Sequence, residues 1–387
     1  MQINKSEENI MNDIALYIHI PFCKNKCFYC DFASFSGKEK YMLNYIEALS
    51  KEINNIKSEN IIKTIFIGGG TPTYLSLEGF NILKKSIEKL NINKDVEFTV
   101  EGNPGTFTKE KLKFLKDMGV NRLSIGLQAW QNDLLKVLGR IHTVEEFKES
   151  YFMARQLGFD NINIDLMFGL PNQNLKMWEE TLNEVISLEP EHISCYSLII
   201  EEGTPFFDFY NNKKLNLPSE DLEREMYSTT LKTLKKYGYN QYEISNFSKK
   251  NKECRHNLVY WNLNSYVGCG ASAHSYINSI RYSNTEDIKD YIDRINKYNS
   301  PIVYKSENTL EENMEEFMFL GLRKIEGIKK EEFRKRFSKD VYDVYGGVIN
   351  KYKSLNMLCE NHERIFLNER GIEVSNVIMS EFLLEKS

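Results

Sequence analysis

Short apolar runs alternate with amphipathic stretches through the first half of the chain, and this alternation limits the possible folds more than any other feature. Six such runs are ALYIHI (15–20), TIFIGGG (64–70), VEFTVEGNP (96–104), RLSIGLQ (122–128), NINIDLMFGLP (161–171) and HISCYSLII (192–200). Strands that alternate with helices form a parallel sheet covered by helices, joined by right-handed crossovers. Six units fall short of the eight of a closed barrel, so the sequence predicts an α/β fold, a partial (β/α)6 TIM-like barrel.

Helix signals separate the predicted strands. Residues 39–57 place apolar side chains three or four positions apart, which is helical spacing. Ser76 and Thr108 stand where a helix N-cap is expected, and Thr143 with Glu146 has the spacing of a capping box. Chemistry in such folds gathers at the C-terminal ends of the strands, so polar residues at those ends are the first candidates for a site.

We predict four segments along the chain. Its 387 residues suit about two or three domains. The segments are an N-terminal tail (1–13), the barrel (14–215), an extension containing a loop at 251–276 (216–300), and a small C-terminal domain of helices with a β-hairpin near 357–374 (301–387). Charge is mixed in the last segment, which gives little support to a DNA-binding role.

Composition argues for a globular protein of the cytoplasm. The net charge is −5, with 50 basic and 55 acidic residues, so no basic field attracts nucleic acid. No apolar run approaches the ~20 residues of a membrane-spanning helix, so we expect peripheral membrane contact at most. The N-terminal residues are polar and acidic, unlike a signal peptide.

Three cysteines lie close together directly after the first strand. Cys23, Cys27 and Cys30 have C-x3-C-x2-C spacing, and the chain has seven cysteines in all. Three thiolates on one loop can each bind one iron of a [4Fe–4S] cluster and leave the fourth iron open to a small chelating molecule. The alternatives are a zinc site with a distant fourth ligand, or chance. Zinc motifs usually pair C-x2-C with a second such pair, which is missing from this sequence.

The cysteine spacing resembles the radical S-adenosylmethionine (SAM) superfamily. Residues that match its pattern lie within or at the ends of successive strands: Tyr17, Gly69, Gly70, Thr71, Glu101, Gln128, Arg140 (expected on the next helix) and Asp165. The resemblance implies that they bind SAM at the open iron. Carboxylates suit its ammonium group or ribose hydroxyls, a guanidinium suits its carboxylate, and glycines let the backbone approach closely. Taken singly, each residue is equally an ordinary polar group at a barrel mouth.

The whole chain resembles the oxygen-independent coproporphyrinogen III oxidase family and, within it, the HemW-type heme chaperones. Matching stretches include LYIHIPFC, CFYCDFAS, IGGGTPTYL, EGNP, NRLSIGLQ, NIDLMFGLP, YEISNF and HNLVYW. The oxidases have a further cysteine two residues after the third, where this chain has Phe32, and a longer N-terminal segment. HNLVYW matches the HNxxYW motif of the chaperones, which is associated with heme binding in that group.

That motif makes His256 the candidate heme ligand. A neutral imidazole is a good axial ligand for heme iron, and Tyr260 with Trp261 offers flat apolar area to a porphyrin. Equally, His256 could cap a loop while Trp261 fills the core. Cys254, His19 and His274 are further candidate ligands.

The resemblance therefore implies a heme chaperone that carries a [4Fe–4S] cluster and SAM and passes heme to acceptor proteins, respiratory ones among them. The cluster and SAM would form a gating or stabilising site. Two enzymatic alternatives stay open: radical oxidative decarboxylation of coproporphyrinogen III, and radical chemistry on another substrate. We expect a monomer or homodimer, and no nucleic-acid partner.

Overall fold

Six parallel strands form the centre of the protein in the computed structural model, which describes residues 13–384. The predicted tail lies outside this range except for its last residue. The strands pair in sequence order, each parallel to the next. They are β1 (Asp13–Ile20), β2 (Ile61–Gly69), β3 (Ile92–Gly102), β4 (Arg122–Gln128), β5 (Ile162–Phe168) and β6 (His192–Ser197).

Helices connect these strands as the sequence predicts. They are α1 (Met42–Asn54), α2 (Leu77–Ile87), α3 (Lys109–Asp117), α4 (Asn132–Val137), α5 (Val144–Gln156) and α6 (Leu175–Ser187). The hydroxyls of Ser76 and Thr108 accept hydrogen bonds from main-chain N–H groups in the first turns of α2 and α3. Thr143 and Glu146 form the predicted capping box of α5. The (β/α)6 arrangement is confirmed.

The sheet continues beyond β1 and β6, which the sequence did not predict. The elements that follow are α7 (Pro205–Asn211), α8 (Glu220–Lys236), β7 (Asn240–Glu243), β8 (Asn246–Ser248), α9 (Arg255–Trp261), β9 (Tyr266–Cys269), β10 (His274–Ile277), β11 (Ile280–Asn284), α10 (Ile288–Tyr298) and β12 (Ile302–Glu307). Strand β9 pairs parallel with β1, and β8 pairs antiparallel with β6. The prediction of a loop over 251–276 is wrong, because α9, β9 and most of β10 lie there and β9 joins the sheet.

The C-terminal part is helical with a small sheet. Its elements are α11 (Leu310–Gly321), β13 (Ile328–Lys329), α12 (Lys330–Phe337), α13 (Val341–Ser354), β14 (Leu358–Glu360), β15 (Arg364–Leu367), α14 (Glu369–Glu373) and α15 (Ser375–Ser380). Strands β14 and β15 form the predicted hairpin, and β13 pairs with β15. Residues after β15 are helical where the sequence had suggested that the hairpin continues.

Two large apolar clusters hold these parts together. One gathers buried residues between 14 and 295, and the other gathers residues between 263 and 382. Leu263 and Tyr276 belong to the second cluster, so the extension packs against the C-terminal helices. The segment boundaries stay a prediction. Within residues 13–384, no helix is both long enough and apolar enough to cross a membrane.

Candidate functional site

The loop with the three clustered cysteines begins where β1 ends, and main-chain hydrogen bonds fix it in place. Cys23 N donates to Phe35 O at 2.9 Å, which closes the loop on itself. Phe28 N donates to Leu138 O at 3.0 Å, and Asn25 Nδ2 donates to Gly139 O at 2.8 Å. These bonds tie the loop to the end of α4. The thiols therefore stand at the C-terminal edge of the parallel sheet.

Each of the three thiols has a polar neighbour. The pairs are Cys23 Sγ with Thr71 Oγ1 at 3.5 Å, Cys27 Sγ with Arg140 Nη1 at 3.5 Å, and Cys30 Sγ with Ser34 Oγ at 3.9 Å. Burial raises the pKa of Cys23 and of Cys30, which favours their neutral thiols. In the part of the chain that the structure describes, no three Cys, His, Asp or Glu side chains are arranged to hold a metal ion.

Gly69 ends β2 and Gly70 follows it, and their lack of side chains lets this segment pass close to His19 and the cysteine loop. A Cβ on Gly70 would stand 2.8 Å from Phe22 O and 2.9 Å from Cys23 Sγ. Gly69 has a φ of +111°, and a Cβ there would stand 2.5 Å from the His19 ring. Such contacts are closer than any side chain tolerates, so the segment beside Cys23 requires glycine.

Glu101 lies against this glycine segment. Its carboxylate accepts a hydrogen bond from Gly69 N at 3.2 Å. Burial and, secondarily, the charge of Asp165 raise the pKa of Glu101 to about 8. A carboxyl group in this state gains stability when a cation is brought beside it. Tyr17 is on β1, on the other side of β2, and its hydroxyl is 2.9 Å from the Nδ1 atom of His19.

Arg140 connects the cysteine loop to the ends of β3 and β4. Besides Cys27, its guanidinium donates to Asn103 Oδ1 at 2.7 Å and to Gly126 O at 2.6 Å. Asn103 Nδ2 in turn donates to Thr71 Oγ1 at 2.8 Å. Arg140 was expected on a helix, but it lies in the connection between α4 and α5. Asn103 was missed, although it follows Glu101 closely in the EGNP stretch.

Gln128 and Asp165 complete the predicted set at the barrel mouth. Gln128 is the last residue of β4 and has a φ of +74°, and its Nε2 would be 2.9 Å from a Cβ on Gly126. Asp165 accepts from Ser124 Oγ at 2.9 Å and from Asn163 Nδ2 at 2.8 Å. Of the four predicted residues Glu101, Gln128, Arg140 and Asp165, Arg140 contacts the cysteine loop, at Cys27, and Asp165 is close enough to Glu101 to affect its charge.

His256 is buried on the first turn of α9. Its ring is hydrogen-bonded at both nitrogens, with Nδ1 2.8 Å from Thr64 Oγ1 and Nε2 2.8 Å from Tyr260 Oη. The Glu97 carboxylate accepts from the main-chain nitrogens of Arg255 and His256, each at 2.9 Å. Burial and, less strongly, the charge of Arg122 lower the pKa of His256 to about 3.

With 1% of its surface exposed and both nitrogens engaged, His256 is closed to heme iron in this arrangement. The ring therefore packs α9 against β2, whereas the alternative that the sequence left open was that His256 caps a loop. Heme ligation by His256 would require α9 to move. Glu97 and Thr64, which hold this helix to β2 and β3, were not recognised from the sequence.

A cavity of about 540 Å³ opens beside the cysteine loop, between it and α9. We call it the aromatic cavity and define it by Tyr17, Phe32, Tyr260, Trp261, Tyr266 and His274. Its volume is in the range of small-molecule and cofactor sites. Phe32 is 64% exposed, an unusual degree for a large aromatic side chain. Residues of the HNLVYW stretch and residues that follow Cys30 therefore line the same cavity.

Comparisons with known proteins identify the families that this chain resembles. Residues 17–185 match the family model of the Radical SAM superfamily, and residues 308–374 match that of the HemN C-terminal domain. The heme chaperone HemW of Bacillus subtilis (strain 168) is 41% identical over 376 residues, which are 96% of this chain and 99% of that protein. The heme chaperone HemW of Lactococcus lactis subsp. lactis (strain IL1403) is 38% identical over 375 residues, 96% of this chain and 97% of that protein.

Among solved structures, coproporphyrinogen III oxidase (HemN) from Escherichia coli superposes with a TM-score of 0.85. The match covers 97% of this chain and 91% of that chain at 22% sequence identity. At this level of identity the similarity concerns the fold alone, and it accounts for the C-terminal part as well as the barrel.

Proposed function

The chain belongs to the HemW heme chaperone family of the radical SAM superfamily, and from this membership we propose that it binds heme and transfers it to acceptor proteins. The observation that carries the proposal is the aromatic cavity. Its lining combines Tyr260 and Trp261 from α9 with Phe32 from the cysteine loop. Flat aromatic side chains around a mainly apolar space suit a porphyrin, and an open cavity suits cargo that must leave again.

We assign the cluster to Cys23, Cys27 and Cys30. Three thiols on one loop, with no Cβ on Gly70 to crowd Cys23, are a donor set that fits a [4Fe–4S] cluster with one open iron. Because thiolates bind iron and burial favours the neutral thiols of Cys23 and Cys30, loading of the cluster would release protons. When bound, the cluster with SAM supplies one-electron chemistry.

The strand-end residues would bind SAM. Glu101, whose pKa is raised to about 8, would become ionised beside an ammonium group. Arg140 would hold a carboxylate, while Gln128 and Asp165 would reach hydroxyl groups. Tyr17 and Thr71 border the same region, and Gly69 and Gly70 keep it accessible. Support for this assignment comes from the hydrogen bonds that link Thr71, Asn103 and Arg140 into one rigid edge.

The cofactor site and the aromatic cavity share a wall. Residues 31–33 follow Cys30 directly, and all three line the cavity. Ala33 O is 2.8 Å from His19 Nε2, which couples the loop to β1. Ordering of the loop by cluster and SAM would therefore set the position of Phe32, so that the cofactor site gates or stabilises heme binding.

Anaerobic reconstitution tests this proposal. The protein is loaded with iron and sulfide, and hemin is then titrated with and without SAM. We expect saturable hemin binding near one equivalent per chain, and a change in affinity when SAM is present. A protein that takes up the cluster but binds no hemin would contradict the proposal. Cys359→Ser, which changes a cysteine on β14 far from the loop, is the matched control for Cys23→Ser, Cys27→Ser and Cys30→Ser.

The rival function is radical decarboxylation of coproporphyrinogen III, since the fold is that of the oxidase. The reconstituted protein is incubated anaerobically with coproporphyrinogen III, SAM and a reductant, and porphyrin products are separated by chromatography. We expect no protoporphyrinogen at useful turnover. Formation of that product would replace the chaperone assignment, and release of 5′-deoxyadenosine without porphyrin dependence would indicate another radical substrate.

We propose the cytoplasm as the site of action. All seven cysteines are free, as expected of a protein in a reducing compartment. The proposed partners are heme and heme-acceptor proteins, including those of respiratory membranes, with peripheral contact at most. Size-exclusion chromatography of the heme-loaded protein distinguishes monomer from homodimer.

A further inference from the structure

We propose that His274 provides the axial ligand to heme iron in the aromatic cavity. The inference rests on the proposed function and identifies the residue that binds the cargo. His274 is the first residue of β10, and it is exposed. No hydrogen bond to another described residue occupies its ring, so both nitrogens are free to coordinate a metal. An imidazole with a free ring nitrogen is a suitable heme ligand.

The other histidines are excluded by burial or position. The chain has six, and all lie within residues 13–384. His19, His142, His192 and His256 expose 6%, 6%, 0% and 1% of their surfaces. The sixth, His362, is exposed in the turn between β14 and β15, where it lies 3.4 Å from Glu363 Oε1.

The histidines nearest the cysteine loop, His19 and His256, have hydrogen bonds at both ring nitrogens. His19 engages Tyr17 Oη at 2.9 Å and Ala33 O at 2.8 Å. His256 likewise uses both nitrogens, as described above. A heme ligated by either would first have to break one of these hydrogen bonds, because axial ligation takes up one ring nitrogen, whereas His274 needs no such rearrangement. Among residues 13–384, His274 is thus the histidine that lines the cavity with an unoccupied ring.

The surroundings of His274 suit the rest of the heme molecule. Tyr260 and Tyr266 pack edge to face with ring centroids 4.7 Å apart, which gives the wall a fixed shape. Arg281, on β11, also lines the cavity. Glu316 holds its guanidinium in a two-point ion pair at 2.7 and 2.5 Å, and Tyr266 Oη lies 3.4 Å away. The guanidinium brings positive charge, partly offset by Glu316, to the cavity wall, and this charge would suit the propionates of heme.

The test compares His274→Ala with wild type in hemin titrations of the reconstituted protein. The Soret difference spectrum and the electron paramagnetic resonance of ferric heme are read against the same protein without hemin. We expect hemin binding to weaken on the order of tenfold or more, with a shifted Soret band, because an iron–nitrogen bond is lost. Added imidazole should restore the spectrum of His274→Ala. His362→Ala, the other exposed histidine, is the matched control and should behave as wild type.

Iron content and the spectral response to SAM show whether His274→Ala is folded. If the variant keeps both and still binds hemin with wild-type affinity and spectrum, His274 is not the ligand. If His256→Gln loses the wild-type heme spectrum while His274→Ala retains it, the ligand is His256 after movement of α9. A wild-type protein that binds no hemin at all refutes the proposed function itself, which separates that failure from failure of this inference.

Discussion

Replacing His256 by alanine tests whether this residue packs α9 against the barrel. The substitution removes the hydrogen bonds to Thr64 and Tyr260, each 2.8 Å long, and leaves both hydroxyls without this partner, that of Thr64 in a buried place. It also removes a ring stacked on Phe66 with centroids 5.1 Å apart. Two buried hydrogen bonds contribute about 1 kcal/mol each, and the unpaired hydroxyls with the cavity add a similar amount. We expect a loss of about 2–4 kcal/mol.

The assay is urea unfolding of the cofactor-free protein at pH 7.5, followed by circular dichroism and tryptophan fluorescence. His256→Ala should unfold at lower urea. His256→Gln, which can keep part of the hydrogen bonding, should lie between it and wild type. An unfolding midpoint of His256→Ala equal to that of wild type, together with complete loss of hemin binding, would refute the packing role and support ligation by His256.

Acid provides a second readout of the same residue. The pKa of His256 is lowered to about 3 in the folded state, below its ordinary value of 6.5. The unfolded chain therefore binds the extra proton first, and stability that is present above pH 6.5 is lost as the pH falls toward 3. Between pH 6.5 and 5 the loss due to this residue is about 2 kcal/mol. His256→Gln should weaken the pH dependence over that interval, and an unchanged slope would contradict burial of the neutral ring.

Three further predictions concern the cofactor site. Cys27→Ser should abolish the broad absorption at about 400 nm of the reconstituted cluster, whereas Cys359→Ser should retain it; equal iron contents would contradict the assignment. Glu101→Gln should weaken SAM binding and yet stabilise the cofactor-free protein near pH 7. The pKa of Glu101 is raised to about 8 in the folded protein, so its contribution to stability is lost as the pH rises from 4.5 through 8. A variant that is less stable than wild type at pH 7 would argue against the buried carboxyl. Gly69→Ala should destabilise the protein more than Gly203→Ala, since both glycines have positive φ but a Cβ on Gly203 meets nothing within 4 Å; equal unfolding midpoints would show that contact with the His19 ring is unimportant.

The barrel could be predicted because its signals are local. Strands β1 to β6 read as apolar runs, and the caps at Ser76, Thr108 and Thr143 mark helices that follow. The extension of the sheet could not be predicted in this way. Strand β9 has four residues, and it pairs with β1, which lies more than 240 positions earlier in the sequence. Its extended structure therefore depends on hydrogen bonds to a distant strand and not on a local sequence signal.

The residues of the candidate site could be predicted from the sequence, whereas the contacts around their side chains could be predicted less well. Polar side chains recur at every second position of the inner strands, as in Glu97, Thr99 and Glu101 on β3, which places them on one face of the strand. Reading that period would have revealed Glu97, and also Asn163 two residues before the predicted Asp165. The hydrogen bond between His256 and Thr64 could not be predicted from the sequence, because it depends on how α9 docks against β2.

Transfer of heme to an acceptor tests the central claim most directly. The chain is loaded with hemin and mixed with a heme-free respiratory protein in the presence of a scavenger that captures hemin released into solution. We predict that the acceptor becomes loaded despite the scavenger, and faster than from free hemin at the same concentration. If the scavenger abolishes loading, heme reaches the acceptor only through solution, and this chain does not act as a heme chaperone.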